Sequence, residues 1–349
     1  MKLFGGINVN LTLSLFFFVL SVALTKLFLV CAADTRLMDK PNNRSMHLKP
    51  TIRGGGLIFI GLSLVALPVL CFATQTLFWG TPFVLMLAVF LVAAVSFLDD
   101  LYNLSAKPRF LVQCMTALLL VLFIKPQQLD FGFFTLNHTI LITPFLFITT
   151  VWAINHFNFM DGIDGFCASQ AIFLGVAYAV LFTLYGATFY QNFCWVFITC
   201  LVGFLVFNFP PAKLFMGDVG SATLGLITFA LALIGQQKFQ IPILYWFMLN
   251  GLFLFDATCT LIRRFLKKEQ WSAPHRKHAY QRLRQSGFSV PQILLGQLLI
   301  NSFFFVLVLV LNLSEFYPLL LISIQIGFVL LIYYLIEKKF PMFQSQLTV

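Results

Sequence analysis

The sequence predicts an all-α polytopic integral membrane protein, residues 1–349 forming one transmembrane domain with about eleven (ten to eleven) spans. Three observations carry this. The 349 residues are 60% hydrophobic and 10% charged, with a mean hydropathy of +0.93, whereas a soluble domain carries about 25% charged residues. Apolar runs close to the roughly 20 residues that a bilayer-crossing helix needs recur along the whole chain. Lys and Arg are concentrated in alternate connections.

The first run, 11–33, follows Met1-Lys2 and ends near Val30-Cys31-Ala32-Ala33. It exceeds the roughly 7 to 15 apolar residues of a signal-peptide core, so it is expected to remain as a span. The others lie at 54–74, 81–98, 109–124, 139–155, 166–186, 190–207, 222–236, 241–262, 291–311 and 317–336. The 44 phenylalanines suit lipid-facing helices and grooves for an apolar chain. Cys31, Cys71, Cys114, Cys167, Cys194, Cys200 and Cys259 all lie in apolar segments, without a C-x-x-C pair, and read as small buried hydrophobes.

The segments 34–53, 99–109, 208–221, 263–289 and the tail after Ile336 hold 18 of the 22 Lys and Arg, and 155–165 lies on the same side. The opposite set holds only Lys2, Lys125 and Lys238, while Lys26 lies within the first run. The positive-inside bias therefore places the first set in the cytoplasm, with the N-terminus outside and the C-terminus inside. The net charge of +10 is a topology signal and no nucleic acid is expected.

Asn155-His-Phe-Asn-Phe-Met-Asp-Gly-Ile-Asp-Gly165 interrupts this apolar chain with two amides and two carboxylates. A charge at bilayer depth costs roughly 2.5 to 3.5 kcal/mol on the insertion scale, so Asp161 and Asp164 need a cation or polar partners at a membrane face. Asn155, Asn158, Asp161 and Asp164 recur every third residue, and on an unbroken helix the first and last would point apart. Gly162 and Gly165 predict that the helix ends inside the motif, letting all four converge as half of a metal-phosphate site.

Four further segments share that side. In 41–56, Arg44, His47, Lys49 and Arg53 precede three glycines that open the next helix, either as an anion-binding start or as a topogenic loop. Asp99-Asp100 follows an apolar span, and two adjacent carboxylates repel unless a metal, a shared proton, or Lys107 and Arg109 relieve them. In Asn208-Phe-Pro-Pro-Ala-Lys-Leu-Phe-Met-Gly-Asp-Val-Gly-Ser221, Asp218 lies between glycines where backbone approaches a phosphate closely. Phe215 is expected to be an exposed ring suited to stacking on a base. His275, Arg276, Lys277, His278 and Arg282 do not form an H-E-x-x-H zinc signature; they suit pyrophosphate recognition or an anionic lipid surface. Asp256, seven residues before Arg263, is expected to be a structural ion-pair member.

Together, residues 34–290 resemble the polyprenyl-phosphate N-acetylhexosamine-1-phosphate transferase superfamily, with its MraY-like, WecA-like and WbpL-like branches, the last within glycosyltransferase family 4. The resemblance implies that Asp99 or Asp100 engages the lipid phosphate or acts as base. It implies that Asn155, Asn158, Asp161 and Asp164 shape the metal and nucleotide site, and that Asp218 binds Mg²⁺ with Phe215 near uracil. Asn208, Lys107, Arg53, His275, Arg276 and His278 are expected on the substrate side, and Asp100 beside Asp218 at the metal. The segment Pro274-His275-Arg276-Lys277-His278-Ala279-Tyr280-Gln281 looks like the WbpL-like branch rather than the runs of adjacent histidines of the other two.

The implied reaction joins undecaprenyl phosphate and a UDP-N-acetylhexosamine, releasing UMP, with Mg²⁺ or Mn²⁺, at the cytoplasmic face of a bacterial inner membrane, to start O-antigen or another envelope polysaccharide. Its charge demands fit the residues: Mg²⁺ takes one or two carboxylates plus substrate phosphates, within a basic surround. A homodimer is left open. The competing classes are a transporter or flippase, which would carry polar groups at mid-bilayer on broken helices, and a non-catalytic lipid-binding scaffold indifferent to Asp218→Asn.

Overall fold

A computed structural model describes residues 5–32, 35–39, 50–270, 275–314 and 317–343, with side chains from residue 11 onward. In chain order the elements are α1 (Gly5–Cys31), β1 (Met38–Asp39), β2 (Thr51–Ile52), α2 (Gly56–Thr74), α3 (Thr81–Tyr102), α4 (Ala106–Phe123), β3 (Leu129–Asp130) and β4 (Thr135–Leu136). There follow α5 (Thr139–Phe159), α6 (Phe166–Leu184), α7 (Thr188–Asn208), α8 (Gly217–Phe239), α9 (Leu244–Leu249), α10 (Gly251–Leu266), α11 (Ala279–Gln285), α12 (Val290–Ser314) and α13 (Pro318–Lys339). Ten helices among the described residues, all but α9, α10 and α11, are long and apolar enough to cross a membrane.

The expected run 241–262, ninth of the eleven, is broken instead of continuous. α9 ends at Leu249 and α10 restarts at Gly251. The break is stabilised by polar side chains from distant helices: Asn250 meets His156 Nε2 at 2.7 Å, and Gln325 Nε2 donates to the Met248 carbonyl at 2.7 Å. Backbone groups released inside an apolar bundle need such partners.

α8 is the axis of the bundle. It is 89% buried over its apolar window and packs against α2, α3, α5 and α6. Its Gly, Ala, Ser and Thr residues admit close neighbours, the usual device where lipid supplies no hydrophobic drive between helices. α13 lies at the periphery, 11% buried over its window.

The helices also run further than the apolar runs. α3 continues through Asp99 and Asp100 to Tyr102, α5 carries Asn155 and Asn158, α8 includes Asp218, and α10 includes Arg263 and Arg264. Each of the expected motif connections 99–109, 155–165, 208–221 and 263–289 is therefore partly helical, because helix-end polar groups find partners there. On the same end of the bundle, β1 pairs with β2, and Ile52 forms a further parallel bridge to Leu214, which draws Arg53 towards the start of α8.

Candidate active site

The last turn of α3 and the first turn of α8 are locked together by one carboxylate. Asp100 Oδ1 accepts the Asp218 N–H and Oδ2 the Val219 N–H, each at 3.1 Å. The opening N–H groups of a helix lack intrahelical acceptors and attract an anion. Gly217 makes the approach feasible: its φ is +71°, and an added Cβ would stand 2.5 Å from Asp100 Oδ2. Arg53 closes the other side, donating through Nη2 to the Asp100 carbonyl at 2.6 Å and to Asn103 Oδ1 at 3.1 Å.

Asp99 instead accepts Arg109 Nη1 of α4 at 2.5 Å, and that nitrogen also reaches Asp218 Oδ2 at 3.2 Å. Asn158 Nδ2 donates to the same Asp218 oxygen at 3.3 Å, and Ser221 Oγ donates to Asn158 Oδ1 at 3.1 Å. Four elements, α3, α4, α5 and α8, thus meet at one ionic bridge. The Arg109 and Asp218 side chains remain 33% and 32% exposed, so a ligand can reach them.

The central motif breaks as its glycines predict: α5 stops at Phe159, and Gly165, at φ +72°, starts α6. Its four polar residues then divide. Asn158 faces Asp218, and Asp161 lies close enough to Asp218, Asp100 and Asp164 to feel their charge. Burial first, and then those three carboxylates, raise the Asp161 carboxyl well above the ordinary range. Asn155 donates to Gln113 Oε1 of α4 and to the Val151 carbonyl, both at 2.7 Å. Asp164 Oδ2 accepts the Ala212 N–H at 2.9 Å, so it ties the turn to the proline-rich loop.

Asn208 departs from its expected place on the substrate side. It is 4% exposed, with Oδ1 accepting the Gly165 N–H at 3.0 Å and Nδ2 donating to the Leu214 carbonyl at 2.8 Å, so both ends of the amide are committed between two loops. Phe215 is half-buried rather than an exposed ring, because its N–H donates to the Ile52 carbonyl at 2.8 Å and its carbonyl accepts the Gly55 N–H at 3.0 Å. Lys107 stands exposed on the first turn of α4.

The histidine segment docks on the same end. Tyr280 of α11 donates to the Phe159 carbonyl at 3.3 Å, and its ring lies 4.8 Å from that of Phe166. A side chain at Gly162 would collide with the Tyr280 hydroxyl, so glycine there admits α11 to the central turn. Asp256 receives the Ala279 N–H at 2.9 Å on both oxygens and stands 3.7 Å from His278 Nδ1, so it is committed to the start of α11.

His278 is 3% exposed, which corrects its expected contact with substrate: it begins α11 and is turned inward by Asp256 and the Tyr280 ring. His275 and Arg276 stay half-buried at the surface of the segment. Burial, then the neighbouring His278, Arg264 and Lys277, push His275 down to about 3. Arg44, His47 and Lys49 lie outside the described residues.

Among the described residues, no three His, Cys, Asp or Glu form a closed metal-binding group. The carboxylates of Asp161 and Asp218, with Asp99 and Asp100 beside them, are the hard oxygen donors that Mg²⁺ takes when substrate phosphates complete its shell. Burial is the larger cause of the raised Asp161 carboxyl; the part added by Asp218, Asp100 and Asp164 is the charge excess such a cation would relieve.

Sequence reasoning offered Arg109 only beside Lys107, as one way to relieve the Asp99-Asp100 pair, and did not single out Ser221 or Tyr280. Their shared signal is weak: each stands within or near an acidic or histidine motif without resembling a ligand.

Residues 82–236 match the glycosyl transferase family 4 model. The chain is 33% identical over 317 residues to the "Probable undecaprenyl-phosphate N-acetylglucosaminyl 1-phosphate transferase" of Bacillus subtilis (strain 168), covering 85% of this chain and 82% of that protein. It is 26% identical over 280 residues to the undecaprenyl-phosphate alpha-N-acetylglucosaminyl 1-phosphate transferase of Escherichia coli (strain K12), covering 75% and 72%. The phospho-N-acetylmuramoyl-pentapeptide-transferase of Prochlorococcus marinus (strain MIT 9215) is 28% identical over 198 residues, covering 52% and 54%.

Proposed function

Because this chain belongs to glycosyl transferase family 4, we propose that it transfers an N-acetylhexosamine 1-phosphate from a UDP-sugar to undecaprenyl phosphate. An oxygen of the lipid phosphate forms a bond to the sugar-linked phosphorus, the bond from that phosphorus to the bridging oxygen breaks, and UMP leaves. The observation that carries this reading is the Asp99–Arg109–Asp218 bridge, with Asn158 on its flank, assembled by four elements at one end of a membrane bundle.

Phosphoryl transfer asks mainly for positioning and for charge neutralisation. Arg109 supplies positive charge next to the pyrophosphate. Asp99 has no helix terminus to hold and is the carboxylate placed to take the proton of the lipid phosphate. Asp100 fixes α3 against α8 and so keeps Asp218 in register with Asp99. Mg²⁺, or Mn²⁺ in its place, would be held by Asp218 and Asp161 with Asp100 behind them, and would neutralise the pyrophosphate when bound. His275, neutral at physiological pH, and Arg276 would meet the donor from the histidine segment, with Lys107 and Arg53 also on the substrate side.

The names of the B. subtilis and E. coli relatives favour UDP-N-acetylglucosamine as the first donor to try, with UDP-QuiNAc and UDP-FucNAc as the WbpL-like options. The site would face the cytoplasm, at the first membrane step of O-antigen or another envelope polysaccharide. Asp218→Asn tests the assignment: UMP release by the purified protein is expected to fall roughly 100-fold or more, with the fold retained. Release at the parental rate would remove Asp218 from the reaction.

A further inference from the structure

The peripheral helix α13 ends in a charged knot for which the transfer reaction has no direct use. Glu337, in its last turn, receives Arg263 of α10 in a fork, Nη1 to Oε2 at 2.7 Å and Nη2 to Oε1 at 2.8 Å. The same carboxylate receives Arg282 Nη1 of α11 at 2.7 Å and the Met342 N–H at 3.1 Å. Arg282 Nη1 donates again to the Phe340 carbonyl at 2.6 Å. Just beyond, the Phe343 ring lies under Lys277 Nζ at 4.6 Å and under Arg263 at 5.5 Å.

Two facts give this knot a consequence. The Arg282 side chain is 4% exposed, with Glu337 its carboxylate partner. Removing the acid would strand a buried charge, which is far more damaging than losing a surface pair. α11, moreover, is only seven residues long, too short to hold its shape alone. Asp256 secures its first residue and Gly162 receives Tyr280, while Arg282, its fourth residue, fastens it to α13.

We propose that Glu337 and the 340–343 turn form a clasp that sets the position of the histidine segment, making Glu337 a positioning residue for donor binding. The inference rests on the reading that this segment meets the UDP-sugar.

The test compares Glu337→Gln, Glu337→Asp and Phe343→Leu in the full-length protein in detergent, reading amide hydrogen exchange across 275–288 together with KM and kcat. Glu337→Gln is expected to speed exchange in α11 and to raise the KM for UDP-N-acetylglucosamine roughly tenfold, the fold-change of one charge-assisted hydrogen bond. kcat should stay within roughly twofold, the mark of lost ground-state binding. Glu337→Asp should recover most of the affinity, and Phe343→Leu should move both readouts the same way by less. Should Glu337→Gln fail to fold, Phe343→Leu carries the same two readouts.

Unchanged exchange and unchanged KM in these variants would overturn the clasp. Arg276→Ala and His275→Ala separate the two ideas. If they raise KM while Glu337→Gln does not, the clasp alone is wrong. If they leave KM unaltered, the donor-binding reading of the segment fails and the proposal falls with it.

Discussion

One guanidinium nitrogen of Arg109 serves two carboxylates from different helices, Asp99 at 2.5 Å and Asp218 at 3.2 Å. Arg109→Met keeps the stem and removes the charge, leaving both acids at the site without their shared cation. UMP release should drop roughly 100-fold, as when a preorganised electrostatic group is lost, and Arg109→Lys should recover only part, since a point charge cannot replace the planar fork. A second residue-scale expectation concerns His275, displaced from its ordinary 6.5 to about 3. The unfolded chain binds a proton there that the folded chain refuses, so its contribution is most favourable above 6.5 and declines as pH falls towards 3. His275→Gln should therefore lessen the loss of thermal midpoint between pH 6.5 and about 4.5; an identical loss in parent and variant would count against this. The acidic residues were legible from sequence because charge is costly in an apolar chain. Arg109 was legible only in part: as one of an interfacial pair it was a candidate to relieve Asp99 and Asp100, but its reach to Asp218 of α8 was not foreseen. The inward turn of Asn208 and His278 depends on partners that no local spacing reveals.

Among elements, apolar length and glycine placement foretold the spans and the break within 155–165. The break at Asn250 escaped because its partner, His156, lies 94 residues earlier, within a motif that reads as catalytic. How far the polar motifs continue the helices was hidden for the same reason: the first N–H groups of α8 are met by Asp100 of α3, and the Asp100 carbonyl by Arg53, both distant in sequence. The seat of α11 on the central turn gives a prediction at this scale. Gly162→Ala should force Tyr280 away and cost about 1 to 3 kcal/mol of stability, the usual range for overpacking, read as a lowered midpoint in thermal unfolding. An unchanged midpoint, with normal exchange in α11, would show that Tyr280 does not rest there.

For the whole molecule, a buried axial helix carries Asp218 at its first turn, and α3, α4 and α5 bring their polar ends to it. That geometry suits a reaction in which one reactant is anchored in lipid and the other arrives from water: the bundle provides the depth, and its charged end provides the chemistry. In the proposed reaction, several carboxylates set against Arg109 and Arg53 would take a divalent cation as the partner that lets anionic phosphates approach. The most direct test is UMP release by the purified protein with UDP-N-acetylglucosamine, omitting undecaprenyl phosphate and Mg²⁺ in turn. Release only when both are present, stopped by EDTA and restored by excess Mg²⁺, is the predicted result; release without the lipid phosphate, or undiminished after complete chelation, would contradict it.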